Sequence, residues 1–390
     1  MNSVNALFST NNNERTRTNI GILTVCTNIT APETGLTSSN SEIGIVSAIL
    51  SFLGHNDLDS LSQTCFTGLY AVKSFRQSAM KIEKILLRFF RNLEELGEFQ
   101  SMQQGKTGTI VSGSVALQFF RRKVYDESDL DTYCMLLKCL DMGRWYEHIG
   151  YEYKPVKKQR SRYEDDYERV LNNEGMSQIN VEGNDGDDIR GAERYRSIDI
   201  AEVWNFERSD GRRIQLVATR ILPEAIVLGF HSTCVMNLIT HKAAYSLFPR
   251  TTFKRKTTIL VNARGQLLQK YEQAVQKYRH RGFRVKSHAP LNSAIEDEFG
   301  FVVPRWIGDR STWVHRIEYF GHGELPKDNT GRVGWDIVSI GRRNYMEYEQ
   351  LFTGDDERVA YEEGKQLLMA RTEIEMVREK IGQRDRWATM

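Results

Sequence analysis

The chain has 390 residues, with 53 Lys and Arg against 51 Asp and Glu, for a net charge of +2. That balance gives no general electrostatic case for nucleic-acid or membrane-surface binding, and no run approaches the roughly 20 apolar residues a membrane span needs. A mean hydropathy of −0.49 with 40% hydrophobic residues predicts a soluble chain with room for two domains. Five cysteines (Cys26, Cys65, Cys134, Cys139, Cys234) form an odd set without Cys-x-x-Cys spacing. They read as reduced thiols of an intracellular protein, in cytoplasm or nucleus. The first 17 residues show no apolar core behind a basic start, so no secretory signal is expected.

Residues 1–40 are rich in Asn, Ser and Thr, a composition that buries too little apolar area to offset its ordering entropy. They are expected to form a disordered leader, with "IGILTVC" as a stray strand. From Ser41 the pattern turns helical, with Ile45, Ile49, Phe52 and Leu53 at helical spacing. Gly54 should end that helix and Asn56 or Asp57 cap the next, whose stripe is Leu58, Leu61 and Cys65. One reading of residues 41–75 is a helical hairpin packed on the main body. The other starts from the Asp-Leu turn followed by "LSQTC", which resembles an F-box, although Ser41-Glu42 stands where that motif usually has Leu-Pro. The F-box resemblance implies a Skp1-type adaptor of a ubiquitin ligase as partner.

Residues 73–100 predict one or two amphipathic helices with Ile82, Ile85, Leu86, Phe89, Phe90 and Leu93 on one face. "TGTIVSG" then predicts a strand, "SVALQFF" a helix capped by Ser112 or Ser114, and "SDLDTYCMLL" a second strand. Residues 154–197 are charged and Gly/Asn-rich. They predict a mobile insertion with one short helix near Tyr163–Leu171, and Asp165, Asp166, Asp185, Asp187 and Asp188 as solvated loop acids. "IDIAEVWNFE" and "RRIQLVATR" flank an Asp-Gly turn and predict a hairpin. "PEAIVLGFHSTCVMNLITHKAAYSLFP" predicts two helices, with Pro223 near the first helical position. A further helix should end at Gly282, short strands are expected at Phe301–Val303 and Val333–Ile340, and the spacing of Leu367, Ala370, Ile374, Val377 and Ile381 predicts a closing helix. The domain boundaries expected are 1–40, 41–75, 76–285 and 286–390.

The chemistry concentrates between Ile110 and Met135. On a strand Asp129 and Asp131 point the same way, with their Cα atoms about 6–7 Å apart. Two such carboxylates suit a hard cation, and magnesium normally completes its shell with water and substrate phosphates. Gly113-Ser114 opens a helix, where free N–H groups and the helix dipole favour a phosphate. Together these parts suit metal-assisted attack on a nucleotide's α-phosphate.

Gly113-Ser114 followed by Asp129-Leu130-Asp131 resembles the nucleotidyltransferase-fold superfamily. More narrowly, "SGSVALQFF", "ESDLD", "IQLVATR", "GFHSTCVMNLIT" and "YSLFPRTTF" resemble a group of fungal proteins of unassigned role. The resemblance covers about residues 80–285. It implies an α/β (α+β) fold, with a mixed sheet and flanking helices, carrying here a helical N-terminal appendage. It also implies a nucleoside triphosphate and Mg2+ bound at Gly113, Ser114, Asp129 and Asp131, with the two acids as metal ligands and catalytic groups. The superfamily usually adds a third acid on a neighbouring strand. Gln215 in "RRIQLVATR" is favoured for that position and Asp199 in "SIDIAEV" competes for it. Glutamine offers a carbonyl but neither charge nor a basic site, so the site is expected to bind a metal-nucleotide and to transfer slowly or not at all.

Plainer readings stand beside this. Asp129 can cap a turn with Ser128, Asp131 can pair with Arg121 or Arg122, and Gly113-Ser114 can be a simple turn. His231 and Cys234 suggest nucleophilic catalysis only weakly, because the neighbours of Cys234 are apolar. Lys157–Arg162 and Phe253–Thr258 are basic runs of the kind usually found on solvated faces. The two functions in competition are therefore a nucleotidyltransferase-like nucleotide binder and a non-enzymatic F-box-like adaptor.

Overall fold

A computed structural model describes residues 40–156, 158–179, 199–261, 268–286, 305–322, 330, 333–340 and 343–350. The expected leader with its stray strand, the acids Asp185, Asp187 and Asp188, the strand at 301–303 and the closing helix at 367–381 lie outside them. The chain divides between Lys81 and Ile82 into two compact units, six residues beyond the expected boundary.

The described part of the first unit holds three helices, α1 (Asn40–Ser51), α2 (His55–Ser62) and α3 (Phe66–Ala79), rather than a hairpin. Val46, Leu50, Leu53, Leu58, Leu61, Val72 and Phe75 form its core. The expected stripe on α1 is displaced by one residue: Ile45 and Phe52 are 57% and 69% exposed, while Val46 and Leu50 point inward. "IGIVSAIL" is apolar almost all round, so spacing alone could not choose the face. Gly54, not Asn56 or Asp57, takes the N-cap of α2, and the Asp57 carboxylate reaches back to accept its N–H at 3.3 Å. Cys65 caps α3, its sulfur accepting from the Gly68 N–H. Arg76 on α3 ion-pairs with Asp59 on α2 at 2.5 Å.

The second unit is mixed α/β. It opens with α4 (Glu83–Leu86) and α5 (Leu93–Ser101). Ile82, Ile85, Leu86, Phe89 and Phe90 are buried as expected, but Leu93 begins a new helix and is exposed. An eight-stranded sheet follows in the order β11-β7-β6-β1-β2-β5-β4-β3. Its strands are β1 (Ile110–Ser112), β2 (Leu130–Met135), β3 (Glu152–Tyr153), β4 (Ile200–Glu207), β5 (Arg213–Thr219), β6 (Asn237–Ile239), β7 (Ala243–Ser246) and β11 (Trp313–Arg316). Among the described strands of this sheet, only the β2–β5 pair is parallel. Helix α6 (Gly113–Arg121) joins β1 to β2, and α7 (Leu136–His148) follows β2. Thr132 Oγ1 donates to the Gln215 carbonyl at 2.9 Å and Tyr146 on α7 donates to Thr132 Oγ1, which pins the β2–β5 register.

Helix α8 (Tyr163–Ile179) runs well past the short helix expected in the insertion. Tyr163 meets Trp204 of β4 edge-on, and Tyr167 lies tilted against it. Asp166 is fully buried rather than solvated and accepts from the Arg160 N–H, Arg169 and the Trp204 indole. Burial pushes its pKa up, but these bonds outweigh it and hold the carboxyl below its usual range.

The two helices expected over Pro223–Pro249 are corrected to one short helix, α9 (Pro223–Leu228), a 3-10 turn (Thr233–Val235) and the strands β6 and β7. Every residue of β6 and β7 is buried, so the central strands show no alternation that could mark them as strands. Strands β8 (Thr257–Ile259) and β9 (Arg284–Lys286) pair with each other, flanking α10 (Leu268–His280) in the chain. A separate sheet holds β10 (Arg305–Trp306), β12 (Val333–Ile340) and β13 (Arg343–Gln350). Among the described residues no helix is long and apolar enough to cross a membrane.

Candidate functional site

Three neighbouring strands bring the sequence candidates into one row. Ser112 at the end of β1 lies opposite Asp131 on β2, and Asp131 lies opposite Gln215 on β5. Paired residues of adjacent strands share a face, so Gln215, not Asp199, stands beside the acid. Asp199 precedes β4 at the far end of the sheet, where its carbonyl accepts from the Arg220 N–H. It lies past the level at which Thr219 pairs with Met135, about 13 Å along β2 from Asp131 by strand rise. On this face α9 closes over Tyr133 and Val217, while Asp131, Gln215 and Asn205, one level further on, remain half-buried.

Gly113 begins α6 at φ +67°, a left-handed conformation. A Cβ at this position would sit 2.3 Å from Asp131 Oδ2, so only glycine lets the carboxylate lie against the backbone. The Ser114 N–H at the same turn draws the Asp131 pKa down. Ser112 is the residue before the helix but makes no side-chain cap; its hydroxyl donates instead to the Asn237 carbonyl at 2.6 Å, fastening β1 to β6. Ser114 is buried.

Among the described residues no ion pair joins Asp131 to Arg121 or Arg122, and Asp129 caps no turn. Its Oδ1 receives Arg213 Nε at 2.8 Å, in an ion pair whose side chains are 27% and 54% exposed. Arg121 instead donates to the Tyr125 hydroxyl and the Arg281 carbonyl. Burial, and then the nearby Asp129 charge, push the Asp131 pKa up to about 7, against the pull of Lys277 and the Ser114 N–H. Lys277 comes from α10, 146 positions further along the chain, and feels both acids in return.

Two carboxylates and one carboxamide carbonyl are an oxygen set suited to magnesium, which relies on only one or two carboxylates when phosphates and water supply the remainder. A carboxylic acid held near pKa 7 by burial and by an acidic neighbour is also a group that a divalent cation relieves. Among the described residues no cluster of three or more His, Cys, Asp or Glu converges to cage a metal unaided. The residues therefore fit a cation shared with a phosphate ligand rather than a closed structural site.

Cys234 is buried, and burial raises its pKa to about 11, so it is no nucleophile. The His231 ring lies 5.9 Å from that of Tyr278. Arg213 and Lys277 are the site residues that sequence reasoning missed. Arg213 was within reach, since it stands two positions before Gln215 on the same strand face; Lys277 left no local signal.

No family model matches the chain, and no curated protein or solved structure matches it either.

Proposed function

We propose that the second unit is a nucleotidyltransferase-like domain that binds a nucleoside triphosphate with Mg2+. The observation that carries this reading is the row Ser112–Asp131–Gln215, with the Asp131 carboxylate seated against the Gly113 backbone at the start of α6. Asp129 and Asp131 hold the cation, and the N–H groups around Gly113-Ser114 face the phosphates. When bound, the cation polarises the phosphate under attack. Gln215 lends a neutral carbonyl and takes no proton, which supports a site that binds well and transfers a nucleotidyl group to a hydroxyl or phosphate acceptor slowly or not at all. The free thiols of Cys65, Cys134, Cys139 and Cys234 support a reducing compartment, cytoplasm or nucleus.

Asp129→Ala combined with Asp131→Ala is expected to weaken equilibrium binding of a fluorescent nucleoside triphosphate in Mg2+ by at least tenfold. Unchanged binding in a folded double variant contradicts the assignment.

A second reading rests on the first unit. Its three helices carry their own core, and α3 displays Phe66, Leu69 and Tyr70 at steps of three and four, with Phe66 80% exposed. This supports an F-box-like adaptor that meets a Skp1-type partner. Leu58 and Leu61 are core residues and present no face to a partner. Phe66→Asp with Tyr70→Asp should leave the helical circular dichroism intact and abolish binding to a purified Skp1-type adaptor. If wild type and variant behave alike, this second reading fails without touching the first.

A further inference from the structure

The two acids already have cationic neighbours, and those neighbours come from distant parts of the chain. Arg213 holds Asp129 from β5, and Lys277 acts on Asp131 from α10. Lys277 also lines a groove of about 720 Å³ along α10, together with Glu272, Gln273, Gln276 and His280; the acids are not among those lining residues. Arg281 follows Lys277 by one helical turn. Its guanidinium lies 3.9 Å from the Tyr125 ring centroid, and its Nη1 is buried without a hydrogen-bond partner among the described residues. Contact between Arg121 Nη1 and the Arg281 carbonyl, at 2.9 Å, ties the end of α6 to the end of α10. The helix that starts at Gly113-Ser114 and the helix that bears Lys277 are therefore held together.

This arrangement sets like charges side by side twice over: Asp129 beside Asp131, and Lys277 beside Arg281. A cation on the acids would relieve the first pair, but it would displace Arg213 from Asp129 and add positive charge near Lys277 and Arg281. A phosphoanhydride chain on that same cation would supply the missing negative charge. Exposed ion pairs are weak enough to exchange partners in this way.

We propose that Arg213 and Lys277 are phosphate-binding residues: Arg213 is held at Asp129 until a divalent cation takes the acids, and then turns, with Lys277 from the groove beside them, to the oxygens of a di- or triphosphate. The inference rests on the nucleotide-binding reading and adds an ordering to it. Cation and polyphosphate bind cooperatively, each tightening the other by the same factor.

The test is calorimetry on the full chain with Mg2+ alone, tripolyphosphate alone, the two together, and Mg2+ with nucleoside triphosphates. For wild type, Mg2+ is expected to bind at least tenfold tighter with tripolyphosphate than without it. Arg213→Met with Lys277→Met should change the two affinities in opposite directions, with Mg2+ alone binding a few-fold tighter and Mg2+ with tripolyphosphate at least tenfold weaker. Arg213→Lys with Lys277→Arg should recover most of the second loss. Both positions lie on the surface, so the variants should fold, which thermal melting checks. If wild type binds Mg2+-nucleotide and the Met variant binds Mg2+-tripolyphosphate equally well, this inference is overturned and the nucleotide reading stands. If wild type binds no nucleotide in Mg2+, both are overturned.

Discussion

Gly113→Ala is expected to weaken Mg2+-nucleotide binding at least a hundredfold and to destabilise the second unit by about 2–5 kcal/mol, the sum of a left-handed backbone cost and an overpacking cost. Two facts add at this position. The backbone is at φ +67°, and the new methyl would meet Asp131 Oδ2 at 2.3 Å. The carboxylate would have to swing away from the Gly113 backbone, taking the proposed cation site with it. Gly108 supplies the control, because it has φ +63° but nothing within 4 Å of its notional Cβ. Gly108→Ala should therefore cost only about 1–2 kcal/mol and leave binding unchanged. Urea melts of both variants read the stability difference, and calorimetry reads the binding. Equal destabilisation by the two substitutions would show that Asp131 does not lie against the Gly113 backbone.

Asp131→Asn should make the protein more stable at pH 8 and flatten its pH dependence. The Asp131 pKa is about 7 in the fold against an ordinary 3.8, so between those values the folded chain holds a proton that the unfolded chain has released. Stability from this group is therefore fully present below about pH 4 and is lost as pH rises through 7. At about 1.4 kcal/mol per pH unit the loss would reach roughly 4 kcal/mol, and solvent access to this half-buried carboxyl reduces it to about 2–3 kcal/mol. Asparagine cannot ionise, and its carbonyl keeps an acceptor in the same place. The difference between variant and wild type, measured by denaturant unfolding from pH 4 to 8, should grow across that window. Mg2+ at pH 8 should stabilise wild type more than the variant. A wild type whose stability relative to Asp131→Asn does not fall between pH 4 and 7 would contradict the burial of this acid beside Asp129.

The part of the site that could be read in the sequence is the part set by local geometry. A β-branched run before Gly113-Ser114 makes a strand-to-helix turn, and Asp-x-Asp on the next strand places its acids on one side. The Asp-Gly turn announced the β4–β5 hairpin, yet it could not say which strand neighbours β2. The parallel β2–β5 register decides between Gln215 and Asp199, and that register comes from tertiary contacts such as Thr132 with Gln215 and Tyr146. Residues 236–246 were misread as helix because a strand buried on both faces has no period of two to display. Asp166 looked like a loop acid because its partner Trp204 lies 38 positions away. Lys277 was invisible for the same reason on a larger scale.

Calorimetric titration of the full wild-type chain with each common nucleoside triphosphate, with and without Mg2+, tests the central claim most directly. At least one nucleotide should release or absorb heat only when Mg2+ is present, at a stoichiometry near one. No heat for any nucleotide in either condition would contradict the assignment of Gly113, Ser114, Asp129 and Asp131 to a nucleotide site.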